Sequence, residues 1–222
     1  MIISELNKAE ALRYMGHKGD IPPVLSDILD KCEKMVLEVI KPAYVYREAS
    51  LIRTDENIKI ADSSLCLTGN DIARHLKGCD KAIIFAATLS SSADTLIRRL
   101  EAEDMAMALA ADALCSAAVE QVCDIAEKEF LSSDGCNFRT RRFSAGYGDL
   151  PVSLQKDIVF YLNAQRRIGL TVTENYMMIP RKSVTAIIGI SDNKLEKHIG
   201  GCAVCNMRDR CDFSKCSNCD EF

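Results

Sequence analysis

Histidine is scarce in this chain. His17, His75 and His198 are the only three, and no two stand at metal-gripping spacing, which excludes a histidine-built catalytic zinc. There is no Gly-x-x-x-x-Gly-Lys-Ser/Thr loop and no Gly-x-Gly-x-x-Gly turn behind a strand, so nucleotide hydrolysis on a phosphate-cradling loop and a Rossmann dinucleotide site both lack support. The Gly-x-Ser-x-Gly turn that exposes an acyl-transfer nucleophile is missing too. Positive charge is not in excess: the formal net charge is −4 and the isoelectric point about 5.5. Dense basic clusters are limited to Arg139 with Arg141 and Arg142, and to Arg166 with Arg167, which is not the basic surface a nucleic-acid partner requires. Long apolar runs are lacking as well. Residues 1–8 are interrupted by Glu5 and Lys8 and carry no signal-peptide core. Residues 105–119, the most apolar stretch, contain Asp112 and fall short of the roughly 20 apolar residues of a membrane span. The expectation is a cytoplasmic protein with no membrane segment and no nucleic-acid partner. No internal repeat is evident.

Cysteine, by contrast, is abundant, with eleven residues among 222. Six are scattered: Cys32, Cys66, Cys79, Cys115, Cys123 and Cys136. Cys115 and Cys123 fall in an apolar helical pattern, where a free thiol behaves as a small core hydrophobe, and a cytoplasmic setting disfavours disulfides. The other five crowd the last 21 residues as Cys202-x2-Cys205-x5-Cys211-x4-Cys216-x2-Cys219. Two close pairs and an intervening cysteine can give four thiolates to Zn(II) or an iron–sulfur cluster. Cys202, Cys205, Cys216 and Cys219 form the first set, with Cys211 the competitor; a reduced tail without metal is the other reading. A 48% hydrophobic content suits one sizeable core. The chain therefore divides into a domain at 1–200 and a cysteine-rich tail at 201–222.

Pro22-Pro23 opens a helix whose apolar residues recur from Val24 to Ile40, and Pro42 ends it. Short apolar or alternating runs over 43–52, 58–60 and 65–67 read as strands, and 81–87 as a buried one. Thr68-Gly69-Asn70-Asp71 reads as a turn and N-cap for a helix reaching Leu76. Ser90 to Asp94 precede helically spaced Ala93, Leu96, Ile97 and Leu100, where serine capping is expected and an anion site is the alternative. A long helix with an Ala- and Cys-rich face is predicted over 104–131, with Glu120 as a solvated charge on it, and another over 153–167 with Gly169 just past its end. Residues 170–179 and 184–190 read as two strands of a hairpin. Helices placed irregularly among strands give an α+β class: a mixed, largely antiparallel sheet flanked by helices.

One loop has the composition of a binding site. Arg141-Arg142-Phe143-Ser144-Ala145-Gly146-Tyr147-Gly148-Asp149-Leu150-Pro151 joins permissive glycines, a planar cationic fork suited to a carboxylate and an aromatic hydroxyl. A turn between a strand and the next helix is the plain alternative.

Arg142-x-Ser144-x-Gly146-Tyr147, followed by Thr173-Glu174-Asn175-Tyr176-Met177-Met178-Ile179-Pro180 and Ser183-Val184-Thr185, resembles the activation domain of cobalamin-dependent methionine synthase. Glu10-Ala11-Leu12-Arg13-Tyr14-Met15-Gly16 and Ala86-Ala87-Thr88-Leu89 are similar to stand-alone forms of that domain, so the resemblance spans most of residues 5–192. It implies that Arg142, Ser144, Gly146 and Tyr147 hold S-adenosylmethionine, with Arg142 on the ligand carboxylate and Tyr147 nearest the cobalt of a docked corrin. Glu120 falls where the family carries an acid and joins that set. The family's late ligand-contacting tyrosine has no counterpart over 192–198. The implied partners are a cobalamin-dependent methionine synthase or related corrinoid protein, and flavodoxin or another electron donor. Two other readings stay open: a non-catalytic module that senses S-adenosylmethionine or chaperones a corrinoid protein, and an iron–sulfur electron-transfer protein acting through the tail.

Overall fold

The computed structural model describes residues 3–54, 57–134 and 138–193, with backbone alone over 131–134. The expected metal ligands Cys202, Cys205, Cys211, Cys216 and Cys219 lie outside the described residues. Helices α1 (Lys8–Tyr14) and α2 (Pro23–Val39) lead into strands β1 (Ala43–Arg53), β2 (Asn57–Ile60) and β3 (Cys66–Thr68). After α3 (Asn70–His75) come β4 (Lys81–Thr88), α4 (Ser91–Glu103), α5 (Met105–Asp134) and β5 (Phe138–Arg139). Then follow α6 (Leu154–Tyr161), α7 (Ala164–Ile168), β6 (Thr171–Val172), β7 (Met178–Ile179) and β8 (Ser183–Ser191).

The main sheet runs β3-β2-β1-β4-β8-β5, and every neighbouring pair is antiparallel. This is the expected α+β architecture, with no parallel pair among the described strands. Strand β4 organises it. Residues 82–88 are all fully buried, which explains why that stretch reads as a continuous apolar run rather than an alternation. Side chains alternate across a strand. Ile83, Phe85 and Ala87 therefore enter one core with α1, α2, α4 and α5, while Ala82, Ile84 and Ala86 enter a second with β2, β3, α3, α6 and α7.

Helix α5 is buried on several sides. Ala110, Ala111, Leu114, Cys115, Ala118, Val122 and Cys123 are all 0% exposed, and their small volumes let α1, α2 and α4 pack closely against it. Cys115 and Cys123 are thus core fillers, as expected, and burial pushes the Cys115 thiol up to about 12. Residues Met105–Phe130 are, by length and composition, long and apolar enough to cross a membrane. The shorter window 105–119 missed this; here the helix packs inside the first core.

Three local expectations are corrected. The predicted helix over 153–167 is two helices, broken where Asn163 turns left-handed at φ 52°, a conformation asparagine tolerates through local hydrogen bonding. Gly169 closes α7 as expected, at φ 70°. The hairpin between 170–179 and 184–190 does not form. β6 pairs with β7 instead, and β8 has both edges taken, by β4 on one side and by β5 and a Phe143–Ile187 bridge on the other. Ser90 does not cap α4 with its side chain. Ser90 and Ser92 hydroxyls lie 2.7 Å apart, and Ser92 Oγ donates to the Val39 carbonyl at 2.6 Å, tying α4 to the end of α2.

Candidate functional site: a loop cavity beside β8

The loop over 140–153 is fixed at both ends. Its first half is sewn to β8: Thr140 N–H donates to the Gly189 carbonyl at 3.0 Å, and Phe143 and Ile187 exchange backbone bonds of 3.0 and 2.8 Å. Its second half turns through Tyr147 N–H to the Ser144 carbonyl and Leu150 N–H to the Tyr147 carbonyl, both 3.0 Å. Gly148 sits at φ 54°, and a Cβ there would run into the Asp71 side chain. This close approach brings two aspartates into a reciprocal clip. Asp149 accepts from Asn70 N–H at 2.6 Å and Asp71 N–H at 3.0 Å, and Asp71 accepts from Asp149 N–H at 3.2 Å. Gly69, at the N-cap of α3, has no side chain to offer, so an aspartate 79 residues away satisfies the Asn70 N–H. The Asp71 and Asn70 N–H groups hold the Asp149 carboxyl below its ordinary range.

An aromatic chain runs above the clip. His75 lies 4.9 Å from Phe143, and Phe143 meets Tyr147 edge-on at 6.0 Å. Tyr147 remains 59% exposed. His75 Nε2 pairs with the Arg141 carbonyl at 2.8 Å, so its ring serves the loop. Among the described residues no group of three or more His, Cys, Asp or Glu side chains is placed to hold a metal.

A cavity of about 590 Å³ opens beside the loop. One wall is Glu120 and Glu127 of α5; others are Arg142, Ser144 and Tyr147 of the loop, Gln155 of α6, Met178 of β7, and Ser183, Val184 and Thr185 of β8. The two sequence motifs, at 142–147 and 173–185, therefore meet at one place. Gly146 shapes the turn at φ 91° and lies outside the wall. Lys182 anchors the start of β8 to α5: its ammonium lies 2.9 Å from Asp112 Oδ1 and donates to Ser116 Oγ at 2.8 Å.

Arg142 faces its own protein. Its Nη2 bonds Asp124 at 3.0 Å and Glu120 at 3.2 Å, and its Nη1 approaches Glu127 Oε1 to 2.8 Å as an ion pair without hydrogen-bond geometry. Burial opposes the Arg142 charge, but Glu127, with Cys123, Glu120 and Asp124, outweighs it and holds the guanidinium above its ordinary value. Glu120 is an ion-pair partner rather than the free surface charge its helix position suggests. Burial raises its carboxyl, with Arg142 opposing. Sequence reading missed Asp124 and Glu127, although Glu120, Asp124 and Glu127 stand at i, i+4 and i+7, one helical face.

A family model described as the activation domain of vitamin B12-dependent methionine synthase matches residues 41–209. Among solved structures, the crystal structure of the MetH reactivation domain bound to AdoHcy matches with a TM-score of 0.63 and 15% identity, over 86% of this chain and 76% of that one. At that identity the likeness establishes the fold. No curated protein matches the chain.

Proposed function

The chain belongs to the vitamin B12-dependent methionine synthase activation-domain family, and on that premise we propose that it is a reactivation module working in trans. It binds S-adenosylmethionine in the loop cavity and docks on a cobalamin-dependent methionine synthase, or a related corrinoid methyltransferase, whose own chain lacks this domain. The observation that carries the reading is the convergence of the 142–147 and 173–185 motifs on one cavity, with exposed Tyr147 at its wall. The similar solved domain, which is bound to AdoHcy, supports the ligand class. S-adenosylmethionine supplies the methyl group that traps a corrin reduced by flavodoxin or an equivalent donor. This chain contributes orientation rather than acid–base chemistry.

In this reading Arg142 takes the ligand carboxylate as a charge-assisted pair, while Glu120 and Glu127 suit its ammonium. Ser144 contributes main-chain groups, Gly146 sets the turn that presents them, and Tyr147 is the side chain turned to the partner's corrin. The protein works in the cytoplasm, without a membrane or nucleic-acid partner. The tail adds a metal site in which four of Cys202, Cys205, Cys211, Cys216 and Cys219 hold zinc or an iron–sulfur cluster; a metal-free preparation under anaerobic conditions removes that part.

Equilibrium dialysis with labelled S-adenosylmethionine tests the site. Saturable binding is expected, weakened roughly tenfold or more by Arg142→Ala. No saturable binding to the wild-type protein contradicts it. A second reading, a non-catalytic sensor or corrinoid chaperone, is favoured by Arg142 being already paired within the protein; methyl transfer to the corrinoid partner separates the two.

A further inference from the structure

Among the described residues, four buried side-chain polar atoms lack a hydrogen-bond partner: Asp94 Oδ1, Arg142 Nη1, Gln155 Oε1 and Thr185 Oγ1. Three of the four belong to residues lining the loop cavity. Such atoms are rare in folded proteins because each has given up water without replacement, so their concentration at one cavity points to partners that a ligand brings. Arg142 has its carboxylates. Gln155 and Thr185 are neutral, and their side chains make no hydrogen bond among the described residues.

Thr185 is 1% exposed and stands opposite Ala86 in the β4–β8 ladder, a neighbour with no polar side chain to offer. A purely structural position there would be filled as well by valine, which has the same shape and no hydroxyl to leave unpaired. Gln155 reaches the cavity from the first turn of α6. The α5 residues on the lining, Glu120 and Glu127, are ionic and pair with Arg142. The lining thus offers charged groups and, in Gln155 and Thr185, neutral hydrogen-bonding groups without partners.

We infer that Gln155 and Thr185 form a neutral subsite that reads the aminopyrimidine edge of an adenine ring. The inference rests on the reading of the cavity as an S-adenosylmethionine site and specifies which part of the ligand lies where. Adenine presents an amino donor beside a ring-nitrogen acceptor, and glutamine is a natural complement to that pair. A carboxamide oxygen accepts from the amine, and a threonine hydroxyl donates to the ring nitrogen. The ligand's ammonium and carboxylate match the charged wall instead.

The test is calorimetric titration of the protein and of Gln155→Met and Thr185→Val with S-adenosylhomocysteine and with S-inosylhomocysteine, whose base carries an oxo group in place of the amine. The wild-type protein is expected to prefer the adenosyl ligand by about tenfold or more. Each variant should lose about 5- to 30-fold for the adenosyl ligand and little for the inosyl one, so that discrimination collapses. Equal losses for both ligands would place the contact on the ribose or on packing and overturn the inference, as would variants that keep the wild-type preference. If Thr185→Val does not fold, by circular dichroism, Gln155→Met decides alone. Absence of binding of either ligand to the wild-type protein defeats the functional reading and the inference together, whereas normal binding with indifferent variants defeats only the inference.

Discussion

Arg142 is the residue on which the site turns. The loop's composition and the order of its motifs marked it as a carboxylate hook, and the cavity does hold it at 24% side-chain exposure. Its fork is nonetheless engaged by Glu120, Asp124 and Glu127. In the proposed reading a ligand carboxylate therefore competes with side chains already in place. Spacing shows that three acids share a helical face; it does not show what lies opposite that face, which is why their partner was not legible. Arg142→Ala leaves three carboxylates facing one another without a counter-charge, and should lower stability by about 1–3 kcal/mol, below the full cost of breaking a buried pair because Asp124 and Glu120 keep solvent contact. Urea denaturation checks this; an unchanged midpoint contradicts it. Asp124→Asn removes the one of the three acids that does not line the cavity and, by freeing Arg142, should raise ligand affinity severalfold, read by the same dialysis experiment.

At the scale of elements, the Asp149–Asp71 clip joins the Gly-Tyr-Gly loop to the start of α3. Gly146 and Gly148 were legible as positions free to take positive φ, and Gly69 as part of a turn. Their long-range purpose was not, because Gly69 and Gly148 are needed for close approach to side chains distant in sequence. Gly148→Ala combines a left-handed backbone with a collision against Asp71 and should cost about 1–2 kcal/mol, with a matching loss of ligand affinity. The pH dependence has a definite sign. Asp149 has its folded pKa depressed by the Asp71 and Asn70 N–H groups, so its contribution is present above the ordinary carboxylate range and is lost as pH falls through the folded value. The melting-temperature gap between the wild-type protein and Asp149→Asn should be constant near neutrality and shrink in acid; a gap that widens in acid refutes the clip. The misread hairpin has a long-range origin. Residues 170–179 alternate like a strand, but both edges of β8 were occupied by chain that lies far away in sequence.

For the molecule as a whole, α+β class followed from helices placed irregularly among predicted strands, the buried run at 81–87 among them. Sheet order did not, since β4 finds β8 about a hundred residues later and no local signal encodes that pairing. The result is a sheet with a core on each face and a cavity between α5, α6 and the β5–β8 edge. Because α5 both fills the first core and supplies the acids that hold Arg142, packing and site are coupled through it. Ala118→Leu, at a position with no exposed surface, should cost about 1–3 kcal/mol by overpacking and weaken ligand binding alongside; calorimetric melting and dialysis together check the coupling.

Reactivation in trans, as proposed, is read as the yield of methylcobalamin when a cobalamin-dependent methionine synthase lacking an activation domain, loaded with cob(II)alamin, is incubated with this protein, a reductant and methyl-labelled S-adenosylmethionine. Label in methylcobalamin well above the partner-alone control is expected, with a reduced yield for Tyr147→Ala. Label no higher than that control would rule reactivation out.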